Sequence, residues 1–82
     1  MSNKPFNSGR PYNERDICFT TLYCEMLKAK MRPNTVCRIV GIADHTMGDR
    51  LRGRSEWKLW EAVEIKKAIG SDMPLEELFK RD

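Results

Sequence analysis

Gly41 divides residues 32–54 into two short segments, each with the apolar spacing of a helix. Glycine adopts a positive φ without a steric penalty, so it commonly follows the last residue of a helix. The two segments are apolar at Val36, Cys37 and Val40 and at Met47 and Leu51, respectively. Two short helices that meet at a glycine predict a helix-turn-helix unit, and the rest of a short chain must then pack around it.

The segment before this unit predicts a first helix, from Glu14 to about Met31. Its apolar residues recur at helical spacings among charged ones, and we expect Leu22 and Met26 to pack most deeply. Acidic residues near its start and lysines near its end agree with the helix dipole.

Local signals also set the bounds of the two central helices. Pro33 fits the first turn of a helix, because its fixed φ is already helical. It has no N–H group, but the N–H groups of a first turn make no hydrogen bond within the helix. Asn34 or Thr35 is the expected cap of that helix. Asp44 is the expected cap of the next helix or, failing that, an acidic residue at its positive end. Ile42, between the two helices, is expected to enter the core.

Residues 55–70 predict a fourth helix, which Gly70 closes. Its expected core residues are Leu59, Ala62, Val63 and Ile69. Trp57 lies at or before the first turn, where it could act as a hydrophobic staple. Trp60 is expected to face outward or sideways, either as a cover for the core or as a partner contact. A last apolar set around Pro74 could close the core or meet a second copy of the chain; it consists of Leu75, Leu78 and Phe79.

A chain of 82 residues has room for one compact core. Residues 1–13 contain two prolines and a glycine without apolar periodicity, so we predict a flexible tail there and a folded domain over 14–82. Lys4 and Arg10 could let the tail follow a nucleic-acid backbone, and an uninvolved terminus is the alternative. No apolar stretch is long enough to cross a bilayer and no secretory signal opens the chain, which predicts a cytoplasmic protein without membrane contact.

Charge is unevenly distributed along the chain. The net charge is +3, but residues 1–54 contain ten basic and five acidic residues, whereas residues 55–82 contain five basic and seven acidic ones. A basic half suits a protein with one surface for a polyanion, because Lys and Arg supply most non-specific affinity for nucleic acid. Ordinary scatter of surface charge is the alternative.

Cysteine and histidine usage indicates neither a disulfide framework nor a metal site. The three cysteines are Cys18, Cys24 and Cys37, and no two of them form a C-x-x-C pair. We expect reduced cysteines that pack as small core residues. His45 is the only histidine. The sequence contains no nucleophile–base pair, phosphate loop or metal cluster, so we expect no enzymatic activity, no cofactor, no metal and no small-molecule substrate.

Residues 41–53, G-I-A-D-H-T-M-G-D-R-L-R-G, resemble the Cro/repressor-type helix-turn-helix domains of bacteriophage and bacterial regulators, the lambda-repressor-like or XRE-type fold. Those domains have a small residue in helix 2, a glycine four positions later, an apolar residue beside it, and then T-[apolar]-x-x-x-L-x-G. The matching positions here are Cys37, Gly41, Ile42, Thr46, Met47, Leu51 and Gly53. Residues 55–70 and 72–79 are similar to the fourth and fifth helices of the family.

Three positions depart from the family pattern. Ala43 replaces a frequent serine cap, Arg32 replaces a frequent threonine, and Arg50 replaces a residue that is often apolar. The last departure leaves Leu51 as the expected anchor for the end of helix 3.

The resemblance implies an all-α fold, a five-helix lambda-repressor-like bundle that contains a helix-turn-helix. It also implies a transcriptional regulator of the phage or bacterial repressor type. Such a protein binds double-stranded DNA sequence-specifically, here by reading the major groove with helix 44–52.

Helical geometry selects the side of helix 44–52 that would face DNA. Met47 and Leu51 share the inner side, and the expected outer residues are His45, Gly48, Asp49 and Arg52. Arginine can bind guanine through two N–H groups, a carboxylate can accept from cytosine, and histidine can contact a base or a phosphate. Asp49 could instead form an ion pair with Arg52 or Arg38. The predicted base-reading residues are Asp44, His45, Gly48, Asp49, Arg50 and Arg52.

Contacts with phosphates are expected from the surroundings of the reading helix. The free amides at the start of helix 2 form an anion site, and basic side chains flank the reading helix on both sides. The predicted phosphate-binding residues are Asn34, Thr35, Arg38, Thr46, Arg54 and Lys58.

Two functional questions are open at the level of sequence. We expect a homodimer through the last two helices, because one recognition helix covers few base pairs. The alternative function is a helix-turn-helix module for protein interaction, such as an antirepressor or another small regulator, that binds no DNA.

Overall fold

The computed structural model describes residues 16–82, and this range contains five α-helices and no β-strand. The helices are α1 (Thr20–Lys28), α2 (Pro33–Val40), α3 (Asp44–Leu51), α4 (Leu59–Ile69) and α5 (Leu75–Leu78). The all-α prediction is confirmed over this range. The predicted tail and Glu14 lie outside the described residues. No helix in the described range is both long enough and apolar enough to cross a membrane.

Helix α1 is shorter than predicted, since it begins at Thr20 and Asp16 lies before it rather than in its first turn. Its cap comes from the opposite end of the chain. The Thr20 amide donates to Asp82 Oδ1 at 3.1 Å, and the Thr20 hydroxyl donates to the same carboxylate. Leu22 and Met26 are fully buried, as predicted.

Helices α2 and α3 meet at residues 41–43. Pro33 is the first residue of α2, as predicted, and Gly41 has a φ of 91°. The amides of Gly41 and Ile42 both donate to the Cys37 carbonyl, which closes α2 and turns Ile42 into the core. The chain therefore passes from α2 to α3 within three residues.

The predicted caps of α2 and α3 are wrong. Arg32 precedes α2 and Ala43 precedes α3, each with an extended backbone and without a side-chain cap. Asn34 and Thr35 lie inside the first turn of α2. Asp44 lies in the first turn of α3, which is the alternative predicted for it.

Helix α4 is rotated relative to the prediction. Leu59 is 75% exposed, so its assignment to the core is wrong, and Ile65, which was not predicted, is fully buried. Ala62 and Ile69 are buried as predicted, whereas Val63 is only half-buried. The inner side of α4 is formed by residues 61, 62, 65 and 69.

The core lies where α2 contacts α1, α3 and α4, and α5 closes it by contacting α1 and α4. Trp57 forms edge-to-face contacts with Phe19 and Phe79, with centroid separations of 5.9 and 5.1 Å. Leu78 is fully buried, so the last apolar set does close the core. The buried cluster consists of Phe19, Leu22, Met26, Val36, Cys37, Ile42, Met47, Leu51, Ile65, Ile69 and Leu78.

All three cysteines are free, but they differ in environment. Cys37 is buried, Cys18 is half-buried and Cys24 is exposed. The prediction that the cysteines pack as core residues therefore holds for Cys37 and is wrong for Cys24.

Candidate nucleic-acid interface

The outer side of α3 carries His45, Thr46 and Asp49. The buried residues of this helix are Met47, Gly48 and Leu51. Because successive helical residues are turned by about 100°, positions 45, 46 and 49 lie opposite that buried set. His45 is exposed, whereas Thr46 and Asp49 are partly exposed.

The prediction that Gly48 lies on the outer side is wrong. Gly48 is buried with Met47 and Leu51, so it does not belong to the exposed side of the helix. A glycine inside a helix is unfavourable by about 1 kcal/mol relative to alanine, which tight packing at this position can offset.

Arg50 lies between α3 and α4 instead of on the outer surface. Its Nε and Nη2 donate to Oε1 and Oε2 of Glu61 at 2.6 and 2.9 Å, and its Nη1 donates to Ser55 Oγ at 2.7 Å. The side chains of Arg50 and Glu61 are only 11% and 3% exposed. The prediction that Arg50 reads a base is therefore wrong. Arg50 instead anchors the end of α3 together with Leu51.

Glu61 is the main residue that the sequence reasoning missed. It is the third residue of α4, and its Oε1 also accepts from the Lys58 amide at 3.0 Å, which caps the helix. The ammonium of Lys58 can only donate, so the reciprocal half of a capping box does not form. Burial acts to raise the pKa of Glu61, but the hydrogen bonds from Arg50 and Lys58 outweigh it, and the pKa is lowered. A glutamate three residues after the N-cap position was the available signal.

Asp44 fixes the start of α3 to α2. The Cys37 thiol donates to Asp44 Oδ1 across 2.8 Å. Burial, together with the hydrogen bond and the charge of Asp44, raises the pKa of Cys37 to about 12. The thiol consequently stays protonated and remains a donor at neutral pH. One oxygen of the predicted base reader Asp44 is thus used within the protein, although the residue itself is exposed.

Asp49 and Arg52 form an ion pair on the flank of α3. Arg52 Nη2 lies 3.6 Å from Asp49 Oδ1, and the two side chains are 18% and 42% exposed, respectively. This pair matches the alternative that the sequence left open for Asp49. Asp49 is the more exposed partner of this pair.

Basic and polar side chains are exposed on the elements that precede and follow α3. Thr35 and Arg38 are exposed on α2, opposite its buried residues Pro33, Val36 and Cys37. Arg54 and Lys58 are exposed in the segment between α3 and α4, whereas Asn34 is half-buried. Contacts of these residues with phosphate stay a prediction.

Comparisons of the chain with family models, with curated proteins and with solved structures gave no match. The functional interpretation therefore depends on the residues themselves.

Proposed function

We propose that this chain is a sequence-specific double-stranded DNA-binding regulator of the Cro/repressor type, which inserts α3 into the major groove. The main support is the way α3 is held. The Asp44–Cys37 hydrogen bond ties its start to α2, the Arg50–Glu61 pair ties its end to α4, and its outer side is open. A reading helix needs this combination, since base contacts require side chains on a rigid, exposed element.

The burial pattern reduces the number of residues that we propose to read bases. His45 is the central one, because it is exposed on the outer side of α3 and can donate to or accept from a base edge. Asp49 and Arg52 flank it as a pair, in which the carboxylate orients the guanidinium. Gly48 and Arg50 are excluded by their burial, and Asp44 has a positioning role.

The proposed phosphate contacts come from both sides of α3. The side chain of Arg38 and the start of α2 at Asn34 and Thr35 lie on one side. On the other side, Arg54 and Lys58 follow the reading helix in the chain. These contacts set the register of the helix on the duplex but carry no sequence information.

We also propose that the protein binds DNA as a homodimer through α4 and α5. Leu59 and Trp60 are 75% and 50% exposed at the start of α4. On the same side of α4, a groove of about 490 Å³ runs between α4 and α5, and its apolar lining includes Val63, Pro74 and Leu75. Exposed aromatic and aliphatic residues beside a groove are typical of protein interfaces.

The same apolar surface favours the second candidate function, a protein-interaction module that binds no DNA. Salt dependence separates the two functions. Binding that neutralises several phosphates weakens steeply with rising salt, whereas docking of apolar surfaces does not.

The test is a selection of bound sequences from random duplex DNA with the wild-type chain and with His45→Ala and Arg38→Ala. We expect the first variant to lose preference at one base position and the second to bind all sequences more weakly. Lys80→Ala is the matched control, because Lys80 is an exposed lysine that belongs neither to the proposed DNA contacts nor to the lining of the groove between α4 and α5. Failure of the wild-type chain to enrich any sequence above background would contradict the proposal.

A further inference from the structure

The last residues of the chain lie against the C-terminal end of α3. The Asp82 amide donates to the Cys18 carbonyl at 2.8 Å, and the Cys18 amide donates to the Leu51 carbonyl at 2.8 Å. The Cys18 thiol is 3.4 Å from the Arg52 carbonyl. Cys18 therefore joins the end of the chain to the last turn of α3.

This arrangement brings the Arg81 guanidinium onto the backbone of Gly53. A Cβ atom at Gly53 would lie 2.6 Å from Arg81 Nη2 and 2.8 Å from its Cζ, so the guanidinium fills the space that a side chain would occupy. Gly53 has a φ of 77°, and the amides of Gly53 and Arg54 bond to the carbonyls of Arg50 and Asp49. The carbonyl end of a helix attracts a cation, which favours the guanidinium at this position.

Arg81 keeps its charge available to a ligand. It is exposed, and among residues 16–82 its guanidinium makes no ion pair with a carboxylate. The adjacent carboxylate of Asp82 is engaged by Thr20 at the start of α1. The side-chain contact of Arg81 with Cys18 Sγ, at 4.0 Å, positions it without neutralising it.

The guanidinium of Arg81 is thus held beside Gly53, the residue between Arg52 and Arg54 in the sequence. We propose that Arg81 is a phosphate-binding residue of the DNA interface, which the end of the chain delivers to the C-terminal end of the reading helix. This inference rests on the proposed function. The contact lies 27 residues beyond the nearest predicted flanking arginine, Arg54, so the local pattern of the sequence does not reveal it.

The test compares the affinity of wild type, Arg81→Gln, Arg81→Lys and Lys80→Gln for one duplex over a range of salt concentrations. Each neutralised phosphate adds about 0.9 to the slope of log K against log salt. We expect Arg81→Gln to lower the slope by about that amount and to weaken binding of the duplex. Arg81→Lys should restore the slope, and Lys80→Gln, which removes the same charge one residue away, should leave it close to wild type.

Equal slopes for wild type and Arg81→Gln, or equal losses in Arg81→Gln and Lys80→Gln, would overturn the role of Arg81. A wild-type chain that binds no duplex would instead overturn the proposed function. The Nε–Hε resonance of Arg81 in the wild-type chain gives a readout that does not depend on the folding of a variant. It should shift on titration with DNA, and an unchanged resonance in a complex that forms would count against the contact.

Discussion

Among single residues, Arg50 and Glu61 connect the proposed reading helix to the rest of the protein. Glu61 is buried and Arg50 nearly so, and the guanidinium donates to both carboxylate oxygens as well as to Ser55. Removing one partner of such a pair leaves the other charge buried without compensation. The pair thus makes the position of α3 depend on α4.

We expect Glu61→Gln to lower the free energy of unfolding by about 3 to 5 kcal/mol, measured by urea denaturation. Glu64→Gln is the control on the same helix, because the Glu64–Lys67 pair is exposed and should matter by less than about 1 kcal/mol. Replacing both partners, as Arg50→Met with Glu61→Leu, should recover much of the loss, since no buried charge remains. A Glu61→Gln variant as stable as wild type would mean that the pair does not anchor α3.

The lowered pKa of Glu61 predicts a loss of stability in acid. A carboxyl whose pKa is lower in the folded state stabilises the protein above its unfolded pKa, about 4.3, and this contribution is lost as the pH falls through the folded value. Two other carboxyls behave alike, since bonds with Lys28 and Thr20 lower the pKa values of Glu25 and Asp82, respectively. The difference between wild type and Glu61→Gln isolates Glu61.

That difference should be largest near neutral pH and should shrink as the pH falls below about 4, as measured by urea denaturation at a series of pH values. Glu64→Gln should keep the acid dependence of the wild-type chain. A constant difference between wild type and Glu61→Gln across this range would contradict the assignment.

Among the helices, α1 ends in a conformation that its sequence does not favour. Lys30 has a φ of 61°, and its amide bonds to the Leu27 carbonyl while the Met31 amide bonds to the Met26 carbonyl. This is the hydrogen-bond pattern of a helix end that usually has glycine at the left-handed position. A side chain at that position is unfavourable, since Cβ approaches the following carbonyl.

We therefore expect Lys30→Gly to raise the free energy of unfolding by about 0.5 to 1 kcal/mol. Thermal unfolding or urea denaturation would measure it. Lys30→Ala removes the same charge but keeps Cβ, so it should bring no gain. If alanine stabilised the chain as much as glycine, the effect would come from charge rather than from backbone conformation.

The helices also show which parts of the structure the sequence determines locally. Pro33, Gly41 and Gly70 mark helix ends through their own backbone preferences, and each lies where the sequence predicted it. The rotation of α4 was not predictable in this way. Leu59 and Ile65 are both apolar, and the packing of α4 against α2 and α5 decides which of them is buried.

The residues of the candidate site show the same difference between local and long-range placement. His45 was predicted on the outer side of α3 because its position follows from the spacing of Met47 and Leu51. Arg50 was misplaced because its partner, Glu61, belongs to another helix. Side chains whose placement depends on contacts between helices are the ones that the sequence alone assigns poorly.

For the whole molecule, the exposed residues at the start of α4 predict a homodimer. We expect the wild-type chain to sediment as a dimer and Trp60→Glu to weaken the dimer by about 2 kcal/mol or more, because an interface tryptophan commonly contributes that much. Ile39→Glu is the matched control, since Ile39 is an exposed apolar residue, 58% accessible, on α2. Sedimentation of the wild-type chain as a monomer, both alone and with DNA, would contradict the prediction.

The hydrogen bond between the Asp82 amide and the Cys18 carbonyl should form late in folding. It joins residues 64 positions apart, so the loop-closure entropy that opposes it is larger than for the turn at Gly41. We expect this contact to form after the transition state, in which case loosening it speeds unfolding and leaves the folding rate nearly unchanged. The residues next to Asp82, rather than α3 with its Arg50–Glu61 anchor, should therefore be the last part of the fold to become ordered and the first to loosen.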